Sequence, residues 1–203
     1  MMKTKSKILT FIPIMFMVLV LSSSTSRKEA YAWKLDKVHS SVTFAITHFF
    51  TPVEGRFNSF DLVFNFNPDD LATSNIEATI NVESIYTNND RRDSDLRSDT
   101  FFDADNYPEI KFKSSKIEKT DENTYNVHGE ITIKQTTKNI TIPFKVLGVT
   151  DHPRRENVQI MGVSAEIMLN RLDYEIGTGN WVATTVLSNE VKIRLQLEVN
   201  REK

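Results

Sequence analysis

The chain has 203 residues, a length that favours a single domain. At 39% hydrophobic and 26% charged it can build a packed globular core. The absence of Cys excludes a disulfide framework, a Cys-ligated zinc site and a thiol nucleophile.

The first segment reads as a secretory signal peptide. Lys3, Lys5 and Lys7 form a basic start, and residues 8–21 are an uncharged apolar run of 14. Ala30-Tyr31-Ala32 places small residues at the first and third positions of a cleavage triplet. The apolar run is shorter than the roughly 20 residues of a spanning helix and contains Pro13. Cleavage is expected after Ala32, leaving residues 33–203 as one periplasmic or secreted domain with no stable membrane insertion. Residues 1–32 hold five of the 25 basic and one of the 27 acidic residues, so the remainder carries 20 basic against 26 acidic and a net charge of −6. Such a balance gives no electrostatic reason to hold nucleic acid.

The rest of the chain alternates with period 2, the mark of strands with one apolar face. In order, the apolar sets are Val42, Phe44 and Ile46; Phe60, Leu62, Phe64 and Phe66; Ile76, Ala78, Ile80 and Val82; Ile110 and Phe112; Tyr125, Val127, Gly129, Ile131 and Ile133; Ile140, Ile142, Phe144 and Val146; Met161, Val163, Ala165, Ile167 and Leu169; and Val191, Ile193, Leu195, Leu197 and Val199. Eight strands result. Short polar turns, such as residues 119–123 and 135–137, make neighbours antiparallel. Eight such strands fit a two-sheet sandwich or a closed barrel, and an eight-stranded barrel either fills with side chains or holds one small ligand.

Two segments break the pattern. Residues 88–102 are polar and then end in Phe101-Phe102, which predicts a short helix or ordered loop after the third strand. Residues 171–188 form a long connection with Gly177, Gly179 and Trp181, and long loops in compact domains are often functional.

Signatures of chemistry are sparse. None of the four His shows the helical i, i+4 pairing of a zinc hydrolase, and no nucleophile elbow or phosphate-binding glycine loop occurs. No metal, cofactor or catalytic residue is therefore expected. His48 shares the face of Val42, Phe44 and Ile46, so it is a hydrogen-bonded core histidine near the barrel rim, a polar contact for a ligand head group or, last, a metal ligand. The mixed-charge run from Arg91 to Arg97 is either a solvated turn or a lid at the barrel mouth that offers Arg to a head group.

Several blocks resemble, in the right order, the YceI-like, polyisoprenoid-binding family. They begin with Trp33, Asp36, His39-Ser40, Phe44, His48, Gly55-Arg56-Phe57 and Phe60. Next come Arg92-Asp93, Leu96, Phe101-Phe102-Asp103, Tyr107-Pro108, Phe112 and Ser114. Gly129, Thr132-Ile133, Thr137-Lys138 and Pro143 follow, then Gly162, Ala165, Arg171, Asp173-Tyr174 and Val191. The resemblance implies an all-β, eight-stranded antiparallel lipocalin-like barrel, export in many members, and a long isoprenoid or similar amphiphile in an apolar lumen. Two positions depart from it, because the family usually carries Gly where Gln135 and Glu175 stand. Gln tolerates positive φ poorly, so the turn at Gln135 is expected to take another shape.

The combined expectation is a lipid carrier rather than an enzyme. Alternation marks Phe44, Ile46, Phe60, Phe64, Phe112 and Phe144 as lumen-lining. Parity and motif position mark His48, Arg92 and Asp93 as the polar end. The partner is an amphiphilic small molecule, isoprenoid or fatty-acid-like, and both a monomer and a homodimer are compatible with the sequence. Two other readings stand beside this one: a hydrolase acting on lipid or sugar at the mouth, and a structural or partner-binding barrel packed solid with side chains.

Overall fold

The computed structural model describes residues 31–182 and 185–203. The expected signal peptide lies outside the described residues, apart from Tyr31 and Ala32 at its end. The strands are β1 (Ala32–Leu35), β2 (Ser41–His48), β3 (Thr51–Phe57), β4 (Phe60–Asn65), β5 (Asn75–Asn81), β6 (Ile85–Tyr86), β7 (Glu109–Asp121), β8 (Thr124–Ile133), β9 (Thr136–Asp151), β10 (Val158–Asn170) and β11 (Leu187–Glu202). One α-helix, α1 (Asp90–Arg97), lies between β6 and β7.

These eleven segments make eight long strands. Along β11, β2 pairs with residues 187–196 and β1 with residues 199–200, so β1 and β2 are one strand kinked between them. Similarly, β3 pairs with β2 and β4 with β1. β5 then pairs with β4 and β6 with β3. From β5 the ladder continues through β7, β8, β9, β10 and β11, and the β1–β11 pairing closes the ring. All pairings are antiparallel, and the result is the expected eight-stranded barrel.

Each kink has a local cause. At the first, the Asp36 Oδ1 accepts from Val38 N at 2.9 Å and His39 N at 3.3 Å, an Asx-type turn that ends the ladder. At the third, the Asn81 side chain accepts from Glu83 N and starts a 3-10 turn over Val82–Ser84. β1 escapes the alternation pattern because it has only four residues, and β3 because Gly55 stands where an apolar side chain would mark the inner face.

Inward-facing residues follow the period-2 reading. On β8, Tyr125, Val127, Ile131 and Ile133 are buried. One end of the barrel is closed by aromatic packing. Phe66 is 1% exposed and sits against Tyr125 at 5.0 Å and Phe144 at 5.5 Å between ring centroids. Phe64 joins both Phe66 and Phe144, and the Trp33 indole donates to Phe66 O at 3.0 Å. Cleavage after Ala32 would leave that indole contact in place.

The opposite end receives α1, the connection between β10 and β11, and the β2–β3 hairpin. Asn89 caps α1, its side chain accepting from Arg92 N at 2.9 Å, so residues 88–102 do form a short helix leading into an ordered loop. Among the described residues no helix is long and apolar enough to cross a membrane.

Candidate functional site: an apolar lumen open at one end

Inside the barrel is a cavity of about 430 Å³, within the range of small-molecule sites. A barrel packed solid is thereby set aside. The inner faces of the strands supply its walls. All six expected lumen residues line it: Phe44 and Ile46 from β2, Phe60 and Phe64 from β4, Phe112 from β7 and Phe144 from β9. Phe64 and Phe144 form its floor, above the aromatic closure.

Phe44 reaches the lumen because β3 offers it space. A Cβ on Gly55 would stand 2.3 Å from the Phe44 ring, so only glycine permits this cross-strand pair. The ring packs instead against Phe57, at 5.6 Å between centroids.

The mouth is where polarity appears. Charge among the lining residues there comes from Arg92, Asp95 and Arg171; a further charged lining residue, Asp61, lies on β4 and pairs with Lys37 at the first kink. His48 ends β2 at the rim, exposed, with its ring edge-on to Phe49 at 4.7 Å. Arg92 lines the mouth, and its guanidinium is held by Thr87: Nε donates to the Thr87 hydroxyl at 2.7 Å and Nη2 to the Thr87 carbonyl at 2.6 Å.

Asp93 stands apart from the other eight candidate residues, since it does not line the cavity. Its side chain is 3% exposed, and its Oδ1 accepts from both the Thr87 amide at 2.8 Å and the Thr87 hydroxyl. A carboxylate so engaged anchors α1 to the strand end beside it. It is a positioning group for Arg92, with Thr87 as the shared partner.

Arg171 has a structural role that its sequence position did not assign. It is 3% exposed and has no carboxylate partner among the described residues. Its Nε donates to Ser188 O at 2.9 Å, and Nη1 to Ile176 O at 2.8 Å and Gly177 O at 3.2 Å. Nη2 donates to Trp181 O and, at 3.3 Å, to Leu187 O. Burial pushes its pKa down. Gly177 is fixed by this staple: its φ is 80°, and a Cβ there would meet Arg171 Nη1 at 2.6 Å. The same loop meets the helix side of the mouth, where Phe101 packs on Trp181 at 5.5 Å and Thr100 O accepts from Gly177 N and Thr178 N. Arg171 was visible only as a matched family position, because a bond to five carbonyls leaves no pattern in sequence.

The remaining histidines serve the outside of the barrel. His128 lies 2.9 Å from the Thr141 hydroxyl and 3.1 Å from Glu118 Oε2, and His152 Nδ1 accepts from Arg154 N and Arg155 N. Asp36, His39 and Glu198 place ligand-type atoms within 4.8 Å of one another at the first kink, away from the cavity lining.

A closed antiparallel barrel with an apolar cavity, floored by aromatics and open at a polar-rimmed mouth, is the architecture of a binding protein for an apolar small molecule. Over residues 33–199 the chain matches the model of the YceI-like domain, and it belongs to that family. It is 31% identical over 198 residues to Protein YceI of Escherichia coli O157:H7, covering 96% of both chains. To UPF0312 protein PC1_2518 of Pectobacterium carotovorum it is 27% identical over 195 residues, covering 96% of this chain and 98% of that protein. The crystal structure of Burkholderia cenocepacia BcnA superposes with a TM-score of 0.73 at 28% identity, covering 81% of this chain and 99% of that one. The polyisoprenoid binding domain from Saccharophagus degradans shares the fold, with a TM-score of 0.62 at 14% identity over 85% of this chain and 98% of that one.

Proposed function

We propose that this chain is an exported carrier that holds one polyisoprenoid, such as a quinone or prenyl lipid, or a similar long-chain amphiphile in its lumen. The observation that carries the reading is the apolar cavity of about 430 Å³ inside the barrel, with His48 and Arg92 among its lining. Burying an apolar tail there contributes about 25 cal/mol for each Å² removed from water. In this reading the tail runs from Ile46 near the rim past Phe44, Phe60 and Phe112 to the floor at Phe64 and Phe144. The head group lies between His48 and Arg92, and Asp93 holds Arg92 in place through Thr87. Family membership supports the ligand class, as does the shared barrel of the Saccharophagus degradans domain. The basic start, apolar run and cleavage triplet of residues 1–32 support export.

Thermal unfolding in the presence of a long-tailed benzoquinone tests the binding. Ligand that binds the folded state alone stabilises it by about 2.7 kcal/mol at a hundredfold excess over Kd. The midpoint should rise with quinone concentration and stay fixed when the same head group is offered without its tail. An unchanged midpoint with the long-tailed compound would remove the reading.

A further inference from the structure

At the mouth of the lumen, the β2–β3 hairpin turns on two residues, Phe49 and Phe50, between the paired His48 and Thr51. Two-residue hairpin turns favour Asn-Gly or Gly-X, because positive φ is needed at both central positions or at the first. Here Phe49 sits at φ 50°, a conformation unfavourable for a bulky side chain. Phe50 is 96% exposed and Phe49 56%. Among the described residues Phe49 makes one ring contact, edge-on to His48 at 4.7 Å, and Phe50 makes none, so the strained turn displays apolar surface that the fold does not bury.

The surroundings of the tip are uncharged. Residues 38–53 contain no Asp, Glu, Lys or Arg in 16 positions, and residues 176–189 contain none in 14, in a chain that is 26% charged. The structure joins these two stretches at the mouth: Phe49 N donates to Val186 O at 2.8 Å, and His48 pairs with Leu187. Beyond the neighbouring strand β6 stands α1, which carries Asp90, Arg91, Arg92, Asp93, Asp95 and Arg97 within its eight residues. Charge at this end of the barrel is thus carried by α1 and by the clasp of Lys134, Lys138, Asp173 and Glu175, while the Phe-tipped stretch carries none.

We infer that the Phe49–Phe50 tip is a membrane-docking finger, which inserts into the interfacial region of a lipid bilayer and brings the barrel mouth against it. The occupant follows from the chemistry. A protein partner for an exposed apolar tip would normally supply polar rim contacts, and this stretch has no charged groups with which to make them. A bilayer requires none, and aromatic side chains favour its interface. The tip adjoins the opening through which a lipid would pass, so docking and loading share one surface. With a net charge of −6 beyond residue 32, attraction must come from the apolar tip and not from anionic lipid. The purpose of the finger rests on the carrier reading above, but its test does not.

Flotation of the protein, purified from an exporting host, with vesicles of pure phosphatidylcholine provides that test. Native mass spectrometry of each sample reports lumen occupancy separately. The protein should float with the vesicles at both low and high salt. Phe49→Asn with Phe50→Ser should lower the partition at least about tenfold, since each buried Phe contributes on that scale. The turn itself should fold as well as before, because Asn accepts positive φ. Phe50→Ser alone, at a side chain already in solvent, guards against a folding artefact and should lower partition on its own. Equal flotation of the variants would overturn the inference, as would binding that salt abolishes, or a dimer in sedimentation that the variants dissociate. A protein that holds lipid yet fails to float would overturn the docking finger and leave the carrier. One that floats through Phe49 and Phe50 with an empty lumen would support the finger and remove the carrier.

Discussion

Gln135 and Glu175 touch: the Gln135 side-chain amide donates to Glu175 Oε2 at 2.7 Å. Forty positions apart, both stand where the family usually carries Gly. Lys134, between β8 and β9, takes the left-handed conformation at φ 53° and donates through Nζ to Glu175 O at 3.3 Å. Glu175 is itself left-handed, at φ 55°, capping the 3-10 turn Arg171–Tyr174. The two departures therefore form one clasp between the β8–β9 turn and the loop stapled by Arg171. Lys138 and Asp173, 2.9 Å apart, reinforce it.

That clasp separates strain from contact. Left-handed backbone costs a non-glycine residue about 1 kcal/mol, and an exposed charge-assisted hydrogen bond stabilises by a similar amount. Glu175→Gly loses the bond and relieves the backbone, so its unfolding free energy should stay within about 1 kcal/mol of the parent. Glu175→Ala loses the bond and keeps the strain, and should be the less stable of the two by about 1 kcal/mol. Thermal or urea unfolding of both variants measures the difference.

The two ends of the lumen should respond differently to truncation. Phe66 is packed on all sides beneath the floor, so Phe66→Ala should cost about 3–5 kcal/mol in unfolding free energy. Phe44 is only half-buried and already faces the cavity. Phe44→Ala should cost less than about 1.5 kcal/mol, because fewer packed neighbours lose contact. Its effect should appear in affinity for a long-tailed amphiphile. Paired unfolding and binding measurements on the two variants check this division.

Arg92 and Asp93 are neighbours with separable roles. Asp93→Ala leaves the buried Thr87 amide without its acceptor and should cost about 2–3 kcal/mol with or without ligand. Arg92→Ala leaves that bond intact, and should weaken a ligand with a carbonyl or anionic head group more than it weakens the fold. Comparing unfolding midpoints with ligand dissociation constants for the two variants separates positioning from contact.

The first kink should carry a pH signature. His39 Nδ1 lies 3.0 Å from Asp36 Oδ2, and this hydrogen bond raises the imidazole pKa and lowers that of the carboxylate. A raised His pKa gives stability that is full below the unfolded value, near 6.5, and is lost as pH climbs through the folded one. A lowered Asp pKa gives stability present above about 3.9 and lost as pH falls through its folded value. The pair therefore stabilises most between about pH 4 and 6.5. The difference in midpoint between the parent and His39→Gln should peak in that window and vanish in alkaline solution. A difference that grows with pH above 7 would contradict the pairing.

Much of the barrel is written in period 2. Strands with strict alternation, such as β8 and β11, announce themselves, and their inner faces follow from parity; all six apolar lumen residues come from that rule. The kinked strands are harder, since β1 is too short and Gly55 blanks the pattern in β3. The polar mouth is harder still. Arg92 and Asp93 are adjacent in sequence, but the helix turns one side chain toward the lumen and the other into Thr87, and no spacing rule distinguishes them. Arg171 bonds backbone carbonyls, which every residue has, so its partners are invisible until the loop is folded. The Phe49–Phe50 tip was present in the sequence, but its meaning depends on finding those rings outside the barrel instead of within it.

The central claim is that the lumen holds an apolar molecule, and native mass spectrometry of protein purified from an exporting host tests it most directly. A stoichiometric adduct, released into organic solvent and identified as a prenyl or similar long-chain compound, is the predicted result. A bare polypeptide mass that also refuses added long-tailed quinones and fatty acids would contradict it.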